Sequence, residues 1–223
     1  MKPAVVVFNV LGAFALGASG LAAKINNDGG GGGGGTLLVS PRGDTYTTFV
    51  PSWEVEVRPG GETAVLNGTV QEVRAQLLEL NPRWESDVGR HTLDRRIIAN
   101  YPDCRKDGAF KLGDDVHCGR WKDAGIDWHD TLWHAEVHLW GWPGKPRNGP
   151  GPGNCGRVSC ENNIGVWWCN DEPHPKELES FDWIADGVCI VLKHELCYQV
   201  GSAQIFNKDN WNVIISSDEG LNC

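Results

Sequence analysis

The 223-residue sequence predicts an α+β protein. We expect a small disulfide-stabilised sandwich of one antiparallel sheet with two packed helices, preceded by a signal peptide and a partly flexible N-terminal segment. Three observations lead to this prediction. Residues 97–223 contain patterns in the order helix, hairpin, helix and strand, all eight cysteines lie in the same region, and the chain begins with an apolar stretch followed by a glycine run.

The N-terminal stretch favours export. Residues 4–18, AVVVFNVLGAFALGA, contain no charge, and the small residues of SGLAAK follow directly. The stretch is shorter than the roughly 20 apolar residues that span a membrane. We therefore expect a cleaved signal peptide over residues 1–23 and a secreted, extracellular protein without a membrane span in its mature form.

Residues 24–96 predict a Gly-rich linker and then one amphipathic helix. Seven consecutive glycines occupy 29–35 and have no side chains to bury. Further on, Thr69 and Glu72 have the spacing of a capping box at the start of a helical pattern, so we expect a helix over 69–81. Asn67 begins an Asn-Gly-Thr glycosylation sequon just before it, which predicts a glycoprotein.

The composition changes at Arg95 and Arg96, ahead of the cysteine-rich region. A dibasic pair in this position is typical of processing sites in secreted precursors, and cleavage there would make 21–96 a pro-segment. An ordinary exposed pair in TLDRRIIAN explains the same residues. The sequence leaves both interpretations open, and both place a cysteine-rich α+β domain at 97–223.

Local patterns predict the elements of this domain. DWHDTLWHAEVHLWGW indicates a helix that ends near Gly141. GRVSCEN and IGVWWCND each show the residue alternation of a strand, and Asn162 and Asn163, which tolerate positive φ, lie where the two segments meet. This pattern predicts a β-hairpin. KELESFDWIADGVCIVLKH has an apolar stripe and predicts the second helix, and NWNVIISSD predicts a closing strand.

The cysteines indicate a disulfide framework. Their even number and density behind an export signal are typical of disulfide-rich secreted proteins, and the sequence contains no CxxC pair of the metal-binding kind. Many connectivities are possible, so the spacing does not determine the pairing. The predicted disulfide cysteines are Cys104, Cys118, Cys155, Cys160, Cys169, Cys189, Cys197 and Cys223.

The formal net charge of −9 restricts the class of partner. Binding to a phosphate backbone or to an anionic membrane needs a basic face. We therefore expect neither nucleic acid nor membrane as a partner, and we expect no cofactor.

GPGPGNCGRVSC, at 149–160, is the most unusual short stretch. A Gly-rich turn binds anions when it leads into a helix N-terminus, but this one leads into a strand and lacks the lysine of a P-loop. We interpret it as a turn in which proline restricts the unfolded loop and glycine allows tight bends, so that cysteines approach bonding distance.

His134 and His138 are the candidate metal ligands. They lie four residues apart on the predicted helix, with Asp127 and Asp130 preceding them. The motif is HAEVH and not HExxH, and Glu136 is predicted to point away from the histidine face. A solvated polar face, on which carboxylates interact with the histidines, is the favoured interpretation, and a metal site is the alternative.

The eleven tryptophans raise the question of a carbohydrate-binding surface. Trp133, Trp168 and Trp211 fall on apolar stripes and predict core positions. Exposure of several others in one plane would favour glycan binding. Those other tryptophans are Trp128, Trp140, Trp142 and Trp167.

Motifs for catalysis are weak. The chain has no GxSxG, and Ser159 lies inside a predicted strand without a neighbouring base. A hydrolase would have to use carboxylates distant in sequence, such as Asp171 and Asp186. The sequence therefore favours a protein that is not an enzyme, with an extracellular glycan-binding protein or hydrolase as the alternative function.

The motifs GPGPGNCGRVSC, VWWCND, LESFDWIADG and NWNVII, in that order, resemble a family of secreted cysteine-rich fungal proteins. This resemblance covers about 141–223 and, more loosely, the LNGTVQEV helix. The order of elements is also similar, at fold level only, to the killer-toxin and necrosis-inducing effector families of fungi. These resemblances imply an effector or toxin-like role in virulence or competition, through binding an extracellular or host target, and imply no catalytic residue.

Residues 105–122 differ from the fungal family and resemble an insertion. Cys118 lies within it, and Cys189 occupies a helix position where the family has a small residue. The comparison with the family therefore suggests that Cys118 and Cys189 form an added bridge.

Overall fold

The computed structural model describes residues 37–88, 104–105, 107–111, 113–125 and 128–218. The predicted signal peptide, the glycine run, Arg95, Arg96, Asp127 and Cys223 lie outside these ranges. Within them the protein is α+β.

The main element is a seven-stranded sheet of order β1-β2-β7-β8-β11-β10-β5. Its strands are β1 (Leu37–Val39), β2 (Thr45–Phe49), β5 (Asp115–Cys118), β7 (Asn154–Glu161), β8 (Ile164–Asn170), β10 (Ala203–Asn207) and β11 (Trp211–Ser217). Two short antiparallel pairs stand beside it: β3 (Ser52–Glu56) with β4 (Thr63–Asn67), and β6 (Arg147–Asn148) with β9 (Lys176–Glu177).

The predicted purely antiparallel sheet is wrong in one pair, because β2 runs parallel to β7. The other pairs of this sheet are antiparallel. Parallel neighbours need a long connection, and here more than 100 residues separate Phe49 from Asn154. The N-terminal segment therefore supplies two strands of the main sheet, which local patterns do not reveal.

The described helices are α1 (Val70–Leu80), α2 (Trp84–Asp87), α3 (Trp128–Leu139), α4 (Asp182–Leu192) and α5 (Glu195–Val200). The two long C-terminal helices, α3 and α4, pack on each other and on one face of the sheet. The predicted two-helix layer is thus present in part, because α1 also packs against β7 and α3. None of these helices is long and apolar enough to cross a bilayer.

Both faces of the central strands are buried. On the helix side, Val166 and Trp168 of β8 and Val213 of β11 belong to the main core. On the other side, Trp167 and Ile214 join a second, smaller cluster. The remaining members of that cluster are Leu38, Trp121, Cys155 and Cys169, with Tyr46 packed against them.

The sheet is curled, so that side chains from its two ends meet around the second cluster. The ring of Tyr46 in β2 lies 5.5 Å from that of Trp121, which follows β5. Gln204 in β10 donates a hydrogen bond to the Tyr46 hydroxyl at 3.0 Å. Arg120 pairs with Asp44 at 3.1 Å, which lowers the pKa of the Asp44 carboxyl.

Three disulfides join described residues: Cys104–Cys189, Cys118–Cys197 and Cys155–Cys169. The predicted disulfide framework is therefore confirmed for these six cysteines. Cys160 is also disulfide-bonded. Cys155–Cys169 joins directly paired residues of β7 and β8.

The suggested Cys118–Cys189 bridge is wrong. Cys118 in β5 pairs opposite Ala203, the first residue of β10, and α5 ends just before that strand. This arrangement places Cys118 beside Cys197 of α5. Cys189 lies in α4 and bonds Cys104 instead.

Candidate functional site

A groove runs along the outer face of the β3–β4 hairpin. The register places Glu54 opposite Val65 and Glu56 opposite Thr63, so these four side chains share one face. Val65 is two-thirds exposed, as is Val50 just before β3. The hairpin therefore presents both apolar side chains and carboxylates to solvent.

The inner face fixes the hairpin to the core. Trp53 stacks on Phe181 with ring centroids 4.2 Å apart and meets Trp142 edge-on. Its indole N–H donates to the Gly68 carbonyl at 2.6 Å. Because Trp53 and Val55 alternate with the outward carboxylates, burial of one face determines the orientation of the other.

The loop 143–147 forms the opposite wall. Gly144 runs close to β3, since a Cβ atom there would lie 3.3 Å from the Glu54 carbonyl oxygen. Beyond it, β6 pairs with β9 in a register that sets Arg147 opposite Glu177. Lys145 and Arg147 therefore face the groove from this wall.

The charges of the groove are unequal. Arg147 donates to Glu177 at 2.6 Å, and this hydrogen bond raises the pKa of Arg147 and lowers that of Glu177. Lys145 lies 3.4 Å from Glu179 and 3.7 Å from Glu177. Both basic residues thus have acidic partners on their own wall.

The carboxylates of β3 are less well compensated. Glu54 lies 4.0 Å from Arg147, and Glu56 accepts a hydrogen bond from the Gly60 amide. Lys145 and Arg147 thus share their charges with Glu177 and Glu179 beside the groove, and the groove with its rim carries an excess of negative charge next to apolar lining residues. Its volume is about 630 Å³, within the range of ligand-binding sites.

The tryptophans do not form an exposed plane. Trp128, Trp142 and Trp167 are buried, and Trp140 is half-buried. Trp168 and Trp211 are core residues as predicted, while Trp133 is half-buried against the core. The condition for a tryptophan-based glycan surface is therefore not met.

His134 and His138 share a face of α3, and the structure brings Glu161 of β7 toward both. Glu136 is buried and so does not join them. Asp130 is almost fully exposed and lies near His129. Among the residues that the structure describes, the carboxylate beside both histidines is therefore Glu161, which the sequence did not indicate.

Asp171 and Asp186 lie on opposite sides of the sheet. Asp171 accepts a hydrogen bond from Asn212 at 2.6 Å, and burial raises the pKa of its carboxyl. Asp186 belongs to α4 on the helix side and accepts two hydrogen bonds from Arg105, at 2.7 and 2.6 Å. The structure does not bring these two carboxylates together.

Ser159 is fully buried and accepts a hydrogen bond from Gln71 at 2.8 Å, which joins β7 to α1. Asn67 is exposed at the end of β4, while Thr69 of its sequon caps α1.

In the Gly-Pro turn, Gly151 packs against the backbone after β8, and its amide donates to Glu172. The turn therefore serves to place β7 beside β8.

The groove was not predicted from the sequence. Its two walls come from segments about 90 residues apart, and charged residues in short strands have no distinctive local pattern. The alternation of SWEVEV was the one available indication, since it predicts a strand with carboxylates on one face.

Comparison with known proteins gives no match to any family model, curated sequence or solved structure.

Proposed function

We propose that the protein is exported and acts outside the producing cell as an effector or toxin-like binding protein, whose groove takes a basic segment of an extracellular or host partner. The observation that carries this proposal is the groove itself, with exposed valines in its lining and the only partly compensated carboxylates of Glu54 and Glu56 beside them. Export is supported by the apolar N-terminus and by the disulfides, which persist in oxidising compartments.

The excess of carboxylates favours a cationic partner. A chain of net charge −9 attracts basic partners at long range, and the groove provides the local contact. Valine side chains bury apolar area, whereas the rim charges determine orientation and selectivity. An extended segment that alternates lysine or arginine with aliphatic residues has the matching chemistry.

The experiment measures binding of synthetic peptides that alternate lysine with leucine, with glutamate–leucine peptides as the comparison. We expect the basic peptide to bind more tightly, and its affinity to fall as salt increases. A Glu54→Gln/Glu56→Gln variant should weaken binding about 2- to 30-fold, because exposed ion pairs contribute roughly 0.2–1 kcal/mol each.

The matched control is Glu79→Gln/Glu195→Gln, which removes the same charge from exposed positions outside the groove. It should bind like the wild type. Equal binding of the acidic and basic peptides, or an equal loss in both double variants, would overturn the groove as the binding surface. Substitution of Glu54 or Glu56 alone should cause a partial loss of binding. In a hydrolase, by contrast, removal of a single catalytic carboxylate would abolish activity.

A further inference from the structure

His134, His138 and Glu161 converge where α3 passes the end of β7. The Nδ1 atom of His134 lies 3.9 Å from Glu161 Oε1, and the Nδ1 atom of His138 lies 3.9 Å from Glu161 Oε2. Each carboxylate oxygen thus faces a different imidazole. The three side chains are between one third and one half exposed, so an ion from solvent can reach them.

The separations are too long for hydrogen bonds, whose N···O distances are about 2.7–3.2 Å. They are close to the spacing of two ligands on one ion. Zinc bonds to nitrogen and oxygen are about 2.0–2.2 Å, which puts two tetrahedral ligand atoms roughly 3.4 Å apart. The three ligand atoms do not all lie within 4.8 Å of one another, so both imidazoles must rotate toward the carboxylate to bind one ion.

The carboxylate also needs a partner. Glu161 Oε2 is shielded from solvent and accepts no hydrogen bond from any residue that the structure describes. A shielded carboxylate oxygen without a donor is costly. A cation held between this oxygen and the imidazoles removes that cost.

Another cluster of ligand atoms is excluded by its chemistry. Cys118, Cys197 and His194 place three such atoms within 4.8 Å of one another. The two sulfurs are bonded to each other, however, so neither is a thiolate. The two histidines and Glu161 are not disulfide-bonded and contribute imidazole and carboxylate ligand atoms instead.

We propose that His134, His138 and Glu161 bind one divalent transition-metal ion of the zinc type, with water completing its coordination. Two imidazoles and one carboxylate form a donor set that zinc accepts. The site joins α3 to the β7–β8 hairpin, next to the hydrogen bond from Asn162 to Thr131 at 3.2 Å. The ion therefore acts as a clip between the helix layer and the sheet.

The experiment titrates the disulfide-intact full chain with zinc by calorimetry, and with cobalt(II) as a spectroscopic probe. We expect one ion per chain, a higher Tm with zinc, and cobalt absorption typical of nitrogen and oxygen ligands. His138→Asn and Glu161→Gln should each weaken zinc binding at least about tenfold, because even the loss of outer-shell partners costs 10- to 100-fold.

The matched control is His129→Asn. His129 lies on the same helix and is similarly exposed, but its ring faces Tyr198. This variant should keep the affinity of the wild type, with near-ultraviolet circular dichroism showing that every variant is folded. Failure of the wild type to bind zinc, wild-type affinity in both site variants, or loss of binding in His129→Asn would each overturn the proposal.

Discussion

Asp218 is a buried carboxylate at the end of the last described strand. Its side chain is inaccessible to solvent. It accepts hydrogen bonds from the Trp167 indole at 3.1 Å and from Ser216 at 3.3 Å, and it pairs with Arg157 at 3.3 Å. Gly165 allows this close approach, since a Cβ atom there would overlap the carboxylate.

Burial raises the pKa of Asp218, and the Trp167 and Arg157 contacts oppose this only in part. The folded state therefore holds this proton more tightly than the unfolded state. Through this group, the free energy of unfolding decreases as pH rises from the unfolded-state pKa through the folded-state pKa.

Asp218→Asn removes this dependence on pH. We expect the stability of the variant, relative to the wild type, to improve as pH rises through that window. Denaturant unfolding of both proteins between acid and neutral pH measures the difference. Asp209→Asn at an exposed position is the control. A difference that stays constant or runs in the opposite direction at Asp218 would contradict the argument.

At the scale of elements, the hairpin between β7 and β8 depends on two asparagines. Asn162 and Asn163 have φ of 49° and 62°, the left-handed conformation that a two-residue turn of this twist requires. Both side chains are exposed, and that of Asn162 also donates a hydrogen bond to Thr131. Asn163 thus tests the backbone requirement of the turn.

Asn163→Ala should destabilise the protein by about 1 kcal/mol. In the left-handed conformation the Cβ atom of alanine lies too close to the following carbonyl oxygen, and alanine has no polar side chain to form a compensating local hydrogen bond. Asn163→Gly should be close to neutral, since glycine adopts this conformation freely. Chemical denaturation measures both, with Lys208→Ala in the exposed β10–β11 turn as the control. Equal stability of the alanine and glycine variants would show that the turn does not impose this conformation.

Elements with local determinants could be predicted from the sequence. Thr69 and Glu72 make the reciprocal capping bonds of α1, and the paired asparagines make the hairpin turn. The partner of a strand is not a local property, so the parallel pairing of β2 with β7 could not be read from either segment. The unbroken apolar run of IGVWWC does indicate a strand buried on both faces, because such strands are continuously apolar.

The same distinction applies to the candidate sites. The spacing of His134 and His138 predicts that they share one face of a helix. Glu161, however, comes from a strand whose position depends on the whole fold. Glu54 and Arg147 meet across the groove from distant segments. Sequence spacing therefore identifies ligands on one element and misses the residue that a second element brings to them.

At the scale of the whole molecule, residues 37–88 share one core with the cysteine-rich part of the chain. Leu38 covers the second cluster, Trp53 stacks on Phe181, and Gln71 bonds Ser159 and the Cys160 amide. Removing this segment would expose both clusters to water. This exposure would lower the free energy of unfolding by the contributions of several large buried side chains, each roughly 1.5–3 kcal/mol.

Cleavage at Arg95–Arg96 should therefore give a nicked protein whose two pieces stay together. No cysteine precedes Cys104, so only non-covalent packing would hold the N-terminal piece. We expect protein recovered from the culture medium of the producer to elute as one species under native conditions. Denaturation without reduction should separate the pieces after a cut, and intact mass locates both ends. A folded product that starts at Ile97 and lacks residues 37–88 would show instead that the core forms without them, and retention of the protein inside the cell would overturn export.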